Sequence, residues 1–335
     1  MGQALTLRPR KVTSSLDDLL GGATSREEWK TAESLSGSML ERVVIDGESF
    51  VVKHLHVDDD WIQRAQGDLF TKPLVMWRSG MFDVLPSSID HTIVGVASGL
   101  GRNGWGCAIL MRDVSPAMLR VEDGVIPMEL HLRFIDHMAE LHARFWGFED
   151  TVGLFPMGNR YFTLTPLMSS IEAERGGTDP VPRFVGEGWE RIADEAPRAA
   201  RILLPLLAAP FPLVDAQARG PQTLVHSDWK AGNLGALDDG RTVLLDWAFP
   251  GQGPGSLDIA WYVAVNCDLL PQSKEDTIAL YREALQRHGV EVGTWWDEWL
   301  SLGLLGLAVM MTWSKSGDEL AWWEDATTRG ARYLG

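Results

Sequence analysis

Residues 224–235 read LVHSDWKAGNLG, and residues 244–251, which follow after a turn, read LLDWAFPG. Both stretches begin with apolar residues typical of a buried strand and continue into polar positions. A plain polar hairpin loop is one interpretation of this pattern. The other is a reactive centre, because strands give polar side chains a rigid support. The side chains at issue are His226, Asp228, Lys230, Asn233 and Asp246.

These five residue types match the requirements of phosphoryl transfer. That reaction needs a group that accepts the hydroxyl proton, ligands for magnesium and a cation on the phosphates. Asp228 is the candidate proton acceptor or positioning carboxylate, and Lys230 is suited to contact the transferring phosphate. Asn233 and Asp246 offer the hard oxygen ligands that magnesium prefers. His226 is expected to fix the backbone of the loop rather than to move protons.

Composition limits the function classes. The 335 residues are 45% hydrophobic and 23% charged, which is ordinary for a globular protein. Thirty basic against 46 acidic residues leave a net charge of −16, which argues against a nucleic-acid partner and is compatible with a cationic substrate. The two cysteines match no metal or disulfide pattern, so a cytoplasmic location is expected. The longest apolar run, residues 302–311, is too short to span a bilayer, so no membrane partner is expected.

The first third of the chain is predicted to be rich in strands. Alternating apolar and polar residues with turn signals predict strands, here in a hairpin over residues 33–57 with its turn at Asp46-Gly47, and at residues 92–97 and 106–114. Helices are expected at residues 16–20, at residues 25–32 with a capping box of Ser25 and Glu28, and at residues 60–81 with a break near Lys72-Pro73.

Helical patterns dominate after Pro127. They are clearest at residues 128–146, 186–209 and 273–288, where apolar residues recur at helical spacing. The predicted organisation is an α+β chain with a strand-rich lobe over residues 1–112 and a mostly helical lobe over residues 113–335. A hinge is expected at residues 111–116, and a helical insert at about residues 150–220.

The quoted stretches resemble a known superfamily. HSDWKAGN is similar to the catalytic loop of the protein-kinase-like phosphotransferases, and LLDWAFPGQGPGSLDIAWY resembles the metal-binding segment of the aminoglycoside phosphotransferase and choline kinase branch. The resemblance covers residues 34–262. It implies a two-lobed protein-kinase-like fold with ATP and Mg²⁺ in the cleft.

The resemblance also implies roles for further residues. Lys53, in FVVKHL, corresponds to the strand lysine that holds the α- and β-phosphates. Asp258 corresponds to an acidic residue that secures the catalytic loop and is structural. The remaining implied nucleotide contacts are Ser36, Gly37 and Ser38 in the phosphate-covering turn, and Met111 to Asp113 at the hinge that meets adenine.

The sequence departs from the family at one position. The family pairs its strand lysine with a helix glutamate, but no glutamate occurs between Glu48 and Glu122. The partner is then an aspartate or is absent, and Asp68 is preferred over residues 58–60. Because aspartate is one methylene shorter, the helix would have to pack closer to the strand.

A second glycine motif has a simpler interpretation. GLGRNG, residues 99–104, fits the G-x-G-x-x-G pattern, but a strand pattern follows it where a dinucleotide site requires a helix. It also comes after Lys53, whereas a kinase glycine loop precedes that lysine. We therefore predict a hairpin turn here.

The segment after Asp246 indicates the type of kinase. It has no room for an activation loop and no A-P-E sequence, whereas a long stretch separates LHARFW from HSD. These features favour an ATP- and Mg²⁺-dependent kinase of a small hydroxylated substrate, such as an aminoglycoside-like antibiotic, an amino sugar or other sugar, or an amino alcohol. An atypical protein kinase and a nucleotide-binding pseudokinase are the alternatives.

Two tryptophan-rich stretches lie near the end of the chain. Residues 293–300 read GTWWDEWL and residues 318–326 read DELAWWEDA. They could form a wall for a cationic or sugar substrate through stacking and cation–π contact. Packing between helices is the favoured interpretation, because a spacing of three and four is also that of a core.

Overall fold

The computed structural model describes residues 6–29 and 38–335. In its first part, five strands form an antiparallel sheet in the order β1-β2-β3-β6-β5. Their bounds, with that of the short strand β4, are Ala23–Glu28 (β1), Met39–Ile45 (β2), Glu48–Leu55 (β3), Ile89–Asp90 (β4), Ile93–Leu100 (β5) and Gly106–Arg112 (β6).

The predicted hairpin is β2 and β3. Its two-residue turn is Asp46-Gly47, with φ of 51° and 83°. Positive φ at both central residues gives the turn the twist that matches two paired strands, and Asp-Gly tolerates it well. The GLGRNG stretch likewise joins β5 to β6, with Gly99, Gly101 and Gly104 at positive φ. The hairpin-turn prediction for that motif is confirmed.

One local prediction was wrong. Residues 25–28 belong to β1 and pair with β2, so Ser25 and Glu28 form no capping box. Edge pairing with β2 overrides the weak helical preference of this short segment. The rest of the predicted helix, residues 30–32, lies outside the described residues.

The predicted helix over residues 60–81 is two helices, α2 (Trp61–Gln66) and α3 (Lys72–Ser79), after the short α1 (Leu16–Leu19). Asp60 caps α2 by accepting from the backbone N–H groups of Ile62 and Gln63 at 2.9 and 3.1 Å. Gly67, with φ of 67°, ends the helix. The break therefore falls before the Lys72-Pro73 pair, which begins the next helix as proline at an N-terminus does.

The second part is mostly helical. Its helices are α4 (Met128–Arg144), α5 (Pro166–Glu174), α6 (Pro180–Glu195), α7 (Pro197–Ala208), α8 (Phe211–Ala218), α9 (Ser256–Val265), α10 (Lys274–Arg287), α11 (Trp296–Met311) and α12 (Gly317–Ala331). Its strands are β7 (Thr223–Val225), β8 (Leu234–Ala236), β9 (Thr242–Leu244) and β10 (Gly251–Gly253). Strand β7 pairs with β10, and β9 lies between β4 and β8. The chain is therefore α+β, with the sheet in its first part and the helices in its second, as predicted.

The core of the helical part is the contact between α9 and α11. A Cβ added at Gly303 would lie 2.4 Å from the Oγ of Ser256, so glycine allows the two helices to approach closely. Leu305 and Leu307 on α11 are fully buried. Among the described helices, no single one is long and apolar enough to cross a membrane. By length and composition alone, the bent pair of α7 and α8 would be.

The tryptophan-rich stretches take part in packing. Trp295 and Trp299 lie 5.3 Å apart, and both contact Trp146 of the segment after α4. Trp323 is 1% exposed in α12. In the described part of the chain these side chains line neither a cavity of about 390 Å³ nor one of about 380 Å³, which supports the packing interpretation over a substrate wall.

Candidate active site

A cavity of about 390 Å³ lies between the five-stranded sheet and the loops that follow β7 and β9. Both parts of the chain line it. Its polar lining includes the predicted residues Lys53, Asp68, Asp113, Asp228, Lys230, Asn233 and Asp246. Residues far apart in sequence therefore meet at one place, and this place is the candidate active site.

The loop after β7 is held by Asp258 in α9. The backbone N–H groups of His226 and Ser227 donate to the two carboxylate oxygens at 2.8 and 2.6 Å, and His142 contacts the carboxylate at 3.1 Å. Ser227 has φ of 64°, a left-handed conformation that needs such support. The predicted contact of Asp258 with the loop is present.

His226 contacts the same loop from within. Burial lowers the pKa of His226, so the ring is neutral at pH 7. Its Nδ1 then accepts from the backbone N–H of Asp228 at 3.2 Å. The ring is buried and contacts the backbone of the loop.

Asp228 lies at the centre of a small polar group. Its carboxylate accepts from Nδ2 of Asn233 at 2.7 Å and lies 3.2 Å from the Nζ of Lys230. The same amide nitrogen also donates to the backbone carbonyl of Asp228 at 2.9 Å. Both amide hydrogens of Asn233 are therefore used, and its Oδ1 is the atom left to bind a ligand. The charge of Asp228 raises the pKa of Lys230 despite burial.

Asp246 joins the two parts of the chain. It follows β9 with φ of 58°, and its Oδ1 accepts from the Nζ of Lys53 in β3 at 2.8 Å. Burial favours the neutral acid, but the charges of Lys53 and Lys230 outweigh it and hold the pKa of Asp246 below its usual value. Asp246 is therefore a carboxylate at neutral pH.

The prediction that Asp68 supports Lys53 was wrong. Asp68 instead accepts from the backbone N–H groups of Phe70 and Lys72, both at 3.2 Å, and lies 3.6 Å from the Nζ of Lys72. Asp60, the cap of α2, lies within electrostatic range of Lys53, and burial raises its pKa. Asp60 is thus the acidic residue that α2 brings towards the lysine, while Asp246 forms the ion pair.

The remaining predicted nucleotide contacts lie at the cavity or beside it. Met111 of β6, which pairs with Val51 of β3, lines the cavity. Asp113 also lines it, and its carboxylate accepts a hydrogen bond from the Ser49 hydroxyl at 2.9 Å. The Ser38 hydroxyl is buried and donates to Asp60 at 2.9 Å. Ser36 and Gly37 lie outside the described residues.

Sequence reasoning missed Arg160. This residue belongs to a 3₁₀ helix, Met157–Phe162, and is 4% exposed beneath the loop after β7. Its Nη2 donates to the backbone carbonyl of Ser227 at 2.9 Å. No local motif marks it, because it is a single arginine in a helical region and its partners lie 67 or more positions away.

The oxygen atoms of the site fit a magnesium ion. Asp246 offers an ionised carboxylate and Asn233 an amide oxygen, and magnesium is commonly held by one or two such ligands together with water and substrate phosphates. Within the described residues, no cluster of three or more histidine, cysteine or acidic side chains has the arrangement of a protein-only metal cage. The site is therefore suited to a metal that arrives with a nucleotide.

Neither a family model nor a curated protein matches this sequence. Solved structures do match. A protein from Thermobifida fusca assigned to the fructosamine-3-kinases is 20% identical, with a TM-score of 0.50 over 94% of this chain and 96% of its own. This likeness decides the fold. The chain has the two-lobed protein-kinase-like fold.

Two further structures are similar to the chain at TM-scores just below 0.5. The choline kinase of Streptococcus pneumoniae is 11% identical, with a TM-score of 0.49 and 95% of each chain covered. A thermostable mutant of an aminoglycoside phosphotransferase is 14% identical, with a TM-score of 0.48, 95% of this chain covered and 97% of its own.

Proposed function

We propose that this protein is an ATP- and Mg²⁺-dependent phosphotransferase that moves the γ-phosphate to a hydroxyl group of a small molecule. One observation carries the proposal: Lys53, Asp228, Asn233 and Asp246 meet at a single cavity although they come from three separate segments of the chain. A base, two oxygen ligands and a phosphate-binding cation are the parts that phosphoryl transfer requires.

Asp228 accepts the proton of the attacking hydroxyl in this proposal. Its carboxylate is held by Asn233 at 2.7 Å, so one oxygen faces the cavity in a fixed orientation. Lys230, 3.2 Å away and protonated at neutral pH, neutralises charge that develops on the transferring phosphate. The proton moves from the acceptor hydroxyl to Asp228 as the new O–P bond forms and the bond between the γ-phosphorus and the bridging oxygen breaks, with ADP as the leaving group.

Lys53, Asp246 and Asn233 hold the nucleotide end of the site. Lys53 contacts the α- and β-phosphates, and Asp246 and Asn233 bind the magnesium ion through oxygen. When bound, magnesium neutralises the charge of the phosphate oxygens. Met111 and Asp113 border the adenine end, where the chain passes from β6 into the helical part. This passage is the proposed boundary between lobes of residues 1–112 and 113–335.

The shape of the molecule supports a small acceptor. Residues 247–255, all of them described, contain only β10 before α9, so this stretch has no activation segment on which a protein substrate could dock. The helical segment of residues 150–220 contacts the first part of the chain, since Glu172 of α5 binds Arg64 of α2 through two hydrogen bonds at 2.6 and 2.9 Å. We propose an aminoglycoside-like compound, an amino sugar or other sugar, or an amino alcohol as the acceptor.

The proposed function is tested by ADP release. The wild-type protein is incubated with ATP and magnesium across a panel of aminoglycosides, other antibiotics, amino sugars, neutral sugars and amino alcohols. We expect release that depends on one chemical class of acceptor. Asp228→Asn should lower kcat by at least about a hundredfold, because a positioned base contributes that much, while nucleotide affinity is retained.

Asp238→Asn is the matched control, since Asp238 is an exposed aspartate in the turn before β9. It should behave as wild type. Full activity of Asp228→Asn would exclude Asp228 as the base. Nucleotide binding without release on any member of the panel would contradict the kinase proposal and favour a nucleotide-binding protein without turnover.

A further inference from the structure

Arg160 is a buried cation placed behind the loop that carries Asp228. Its Nη2 donates to the carbonyl of Ser227, the residue directly before Asp228, at 2.9 Å. Ser227 has φ of 64°, a left-handed backbone conformation that residues other than glycine rarely adopt. The hydrogen bond from Arg160 therefore stabilises this backbone conformation. It also fixes the peptide group that leads into Asp228.

Arg160 also contacts the segment that carries Asp246. Its guanidinium lies 3.8 Å from the ring centre of Phe249 and 4.9 Å from that of Trp261. Phe249 follows Asp246 by three positions and lines the same cavity. A planar guanidinium both stacks on aromatic faces and donates hydrogen bonds, which an ammonium group does less well. One side chain thus contacts the two segments that carry Asp228 and Asp246.

The charge of Arg160 faces three carboxylates. Burial lowers the pKa of Arg160 to about 10, with Asp228, Asp258 and Asp246 acting in the opposite direction. The group therefore remains protonated at neutral pH. Lys53 and Lys230 line the cavity, where phosphates would engage them, whereas Arg160 does not line it and stays with the loop when a ligand binds.

The segment around Arg160 reaches α2 as well. The Nδ2 of Asn159 donates to the carbonyl of Gln66 at 3.0 Å, and Gln66 donates to Thr163 at 2.9 Å. Helix α2 carries Asp60, which lies in electrostatic range of Lys53. Residues 157–163 therefore contact the loop that carries Asp228, the segment that carries Asp246 and helix α2.

We propose that Arg160 is a positioning residue that fixes the Ser227 carbonyl and Phe249, and through them the orientations of Asp228 and Asp246. The proposal rests on the proposed function for its kinetic consequence, but the placement of the loop is a property of the protein alone. Arg160 does not contact the reacting atoms, so its loss should change the rate of the chemical step more than nucleotide affinity.

The test compares Arg160→Gln, Arg160→Lys and wild type in steady-state kinetics and in amide hydrogen exchange. We expect Arg160→Gln to lower kcat about 10- to 100-fold, the range expected for a displaced reacting group, and to change KM for ATP by less than about threefold. Arg160→Lys keeps the charge but not the planar stack, so its kcat should be intermediate. Amides of residues 226–233 should exchange faster in Arg160→Gln, while those of α4 and α10 do not.

Arg191→Gln is the matched control. Arg191 also donates to backbone carbonyls, those of Trp313 and Lys315 at 3.0 and 3.1 Å, but far from the cavity. It should leave kcat and the exchange of residues 226–233 unchanged. Wild-type kcat in Arg160→Gln would overturn the proposal, and so would an equal increase of exchange throughout the chain.

The two proposals fail separately. If wild type shows no acceptor-dependent ADP release, the proposed function fails, and faster exchange confined to residues 226–233 in Arg160→Gln still supports the positioning role. If wild type is active and that exchange is unchanged, the positioning role fails alone. If Arg160→Gln does not fold, Arg160→Lys is measured in its place. A wild-type kcat together with wild-type exchange of residues 226–233 in Arg160→Lys would show that the planar guanidinium is not needed for positioning.

Discussion

Lys53 and Asp246 each have two roles in this site, one towards each other and one towards a proposed ligand. They form an ion pair at 2.8 Å across the cavity, and Asp246 adopts a left-handed backbone conformation to reach it. Both side chains keep some solvent exposure, 18% and 31%. In the proposed function the lysine must also contact phosphates and the aspartate a metal ion. The pair therefore orders two groups that a nucleotide would engage.

Lys53→Ala is expected to weaken the productive binding of ATP. A hydrogen bond to a charged group contributes about 1.5–3 kcal/mol, so kcat/KM for ATP should fall about 10- to 100-fold. Initial rates measured against ATP concentration check this. Lys11→Ala, at an exposed lysine remote from the cavity, is the control. An unchanged rate at low ATP would show that Lys53 does not hold the phosphates.

At the scale of elements, the carboxylate of Asp90 joins the five-stranded sheet to the three-stranded sheet of β4, β9 and β8. Asp90 ends β4, which pairs in parallel with β9. It is 5% exposed and binds Arg112 at the end of β6 and Arg241 just before β9, the latter at 2.8 Å. The backbone N–H of Thr92 donates to it at 2.9 Å. Asp90 thus fixes the position of the five-stranded sheet relative to the strands that present Asp246.

Asp90→Asn is expected to lower the stability of the fold by about 2 kcal/mol at pH 7, since charge-assisted hydrogen bonds are lost. Burial favours the neutral acid, but Arg112, the Thr92 amide and Arg241 outweigh it and hold the pKa of Asp90 below its usual value. A depressed pKa gives stability that is present above the unfolded value and lost as pH falls through the folded value.

The difference between wild type and Asp90→Asn should therefore stay constant from pH 7 to about pH 5 and shrink below about pH 4. Denaturant unfolding at several pH values measures it, with Asp238→Asn as the exposed control. A difference that disappears between pH 7 and pH 5 would show that the carboxylate is not held in its ionised form by the arginines.

At the scale of the whole molecule, the cavity has walls from both parts of the chain. A ligand that binds there contacts the sheet through Lys53 and the helical part through Asp246. Binding to the folded state alone stabilises a protein in proportion to the logarithm of ligand concentration. A nucleotide should consequently stabilise both parts together.

Mg²⁺ and ATP at about a hundred times the dissociation constant should stabilise wild type by about 2.7 kcal/mol. The measurement is thermal unfolding with and without nucleotide, in magnesium and in EDTA. Asp246→Ala should lose the magnesium-dependent part of the shift. An equal shift in Asp246→Ala, or in EDTA, would mean that Asp246 is not a metal ligand.

Local sequence was sufficient for most elements and for much of the site. The Asp46-Gly47 hairpin, the long helix α4 and the strand-loop-strand around Asp228 follow from periodicity and turn residues, which act over a few positions. For β1, pairing with a neighbouring strand decided the conformation instead. Asp68 was the wrong choice of acid for Lys53, because its carboxylate contacts Lys72 and the backbone N–H of Phe70 instead.

The sequence by itself determined which polar side chains share the loop after β7, because they are neighbours along one short segment. Only the tertiary structure decided that Lys53 pairs with Asp246, 193 positions away, and that Arg160 lies beneath Ser227. Contacts of this kind leave no local pattern. They arise when packing of the sheet against the helices brings distant segments together, and burial then requires each charge and carbonyl to find a partner.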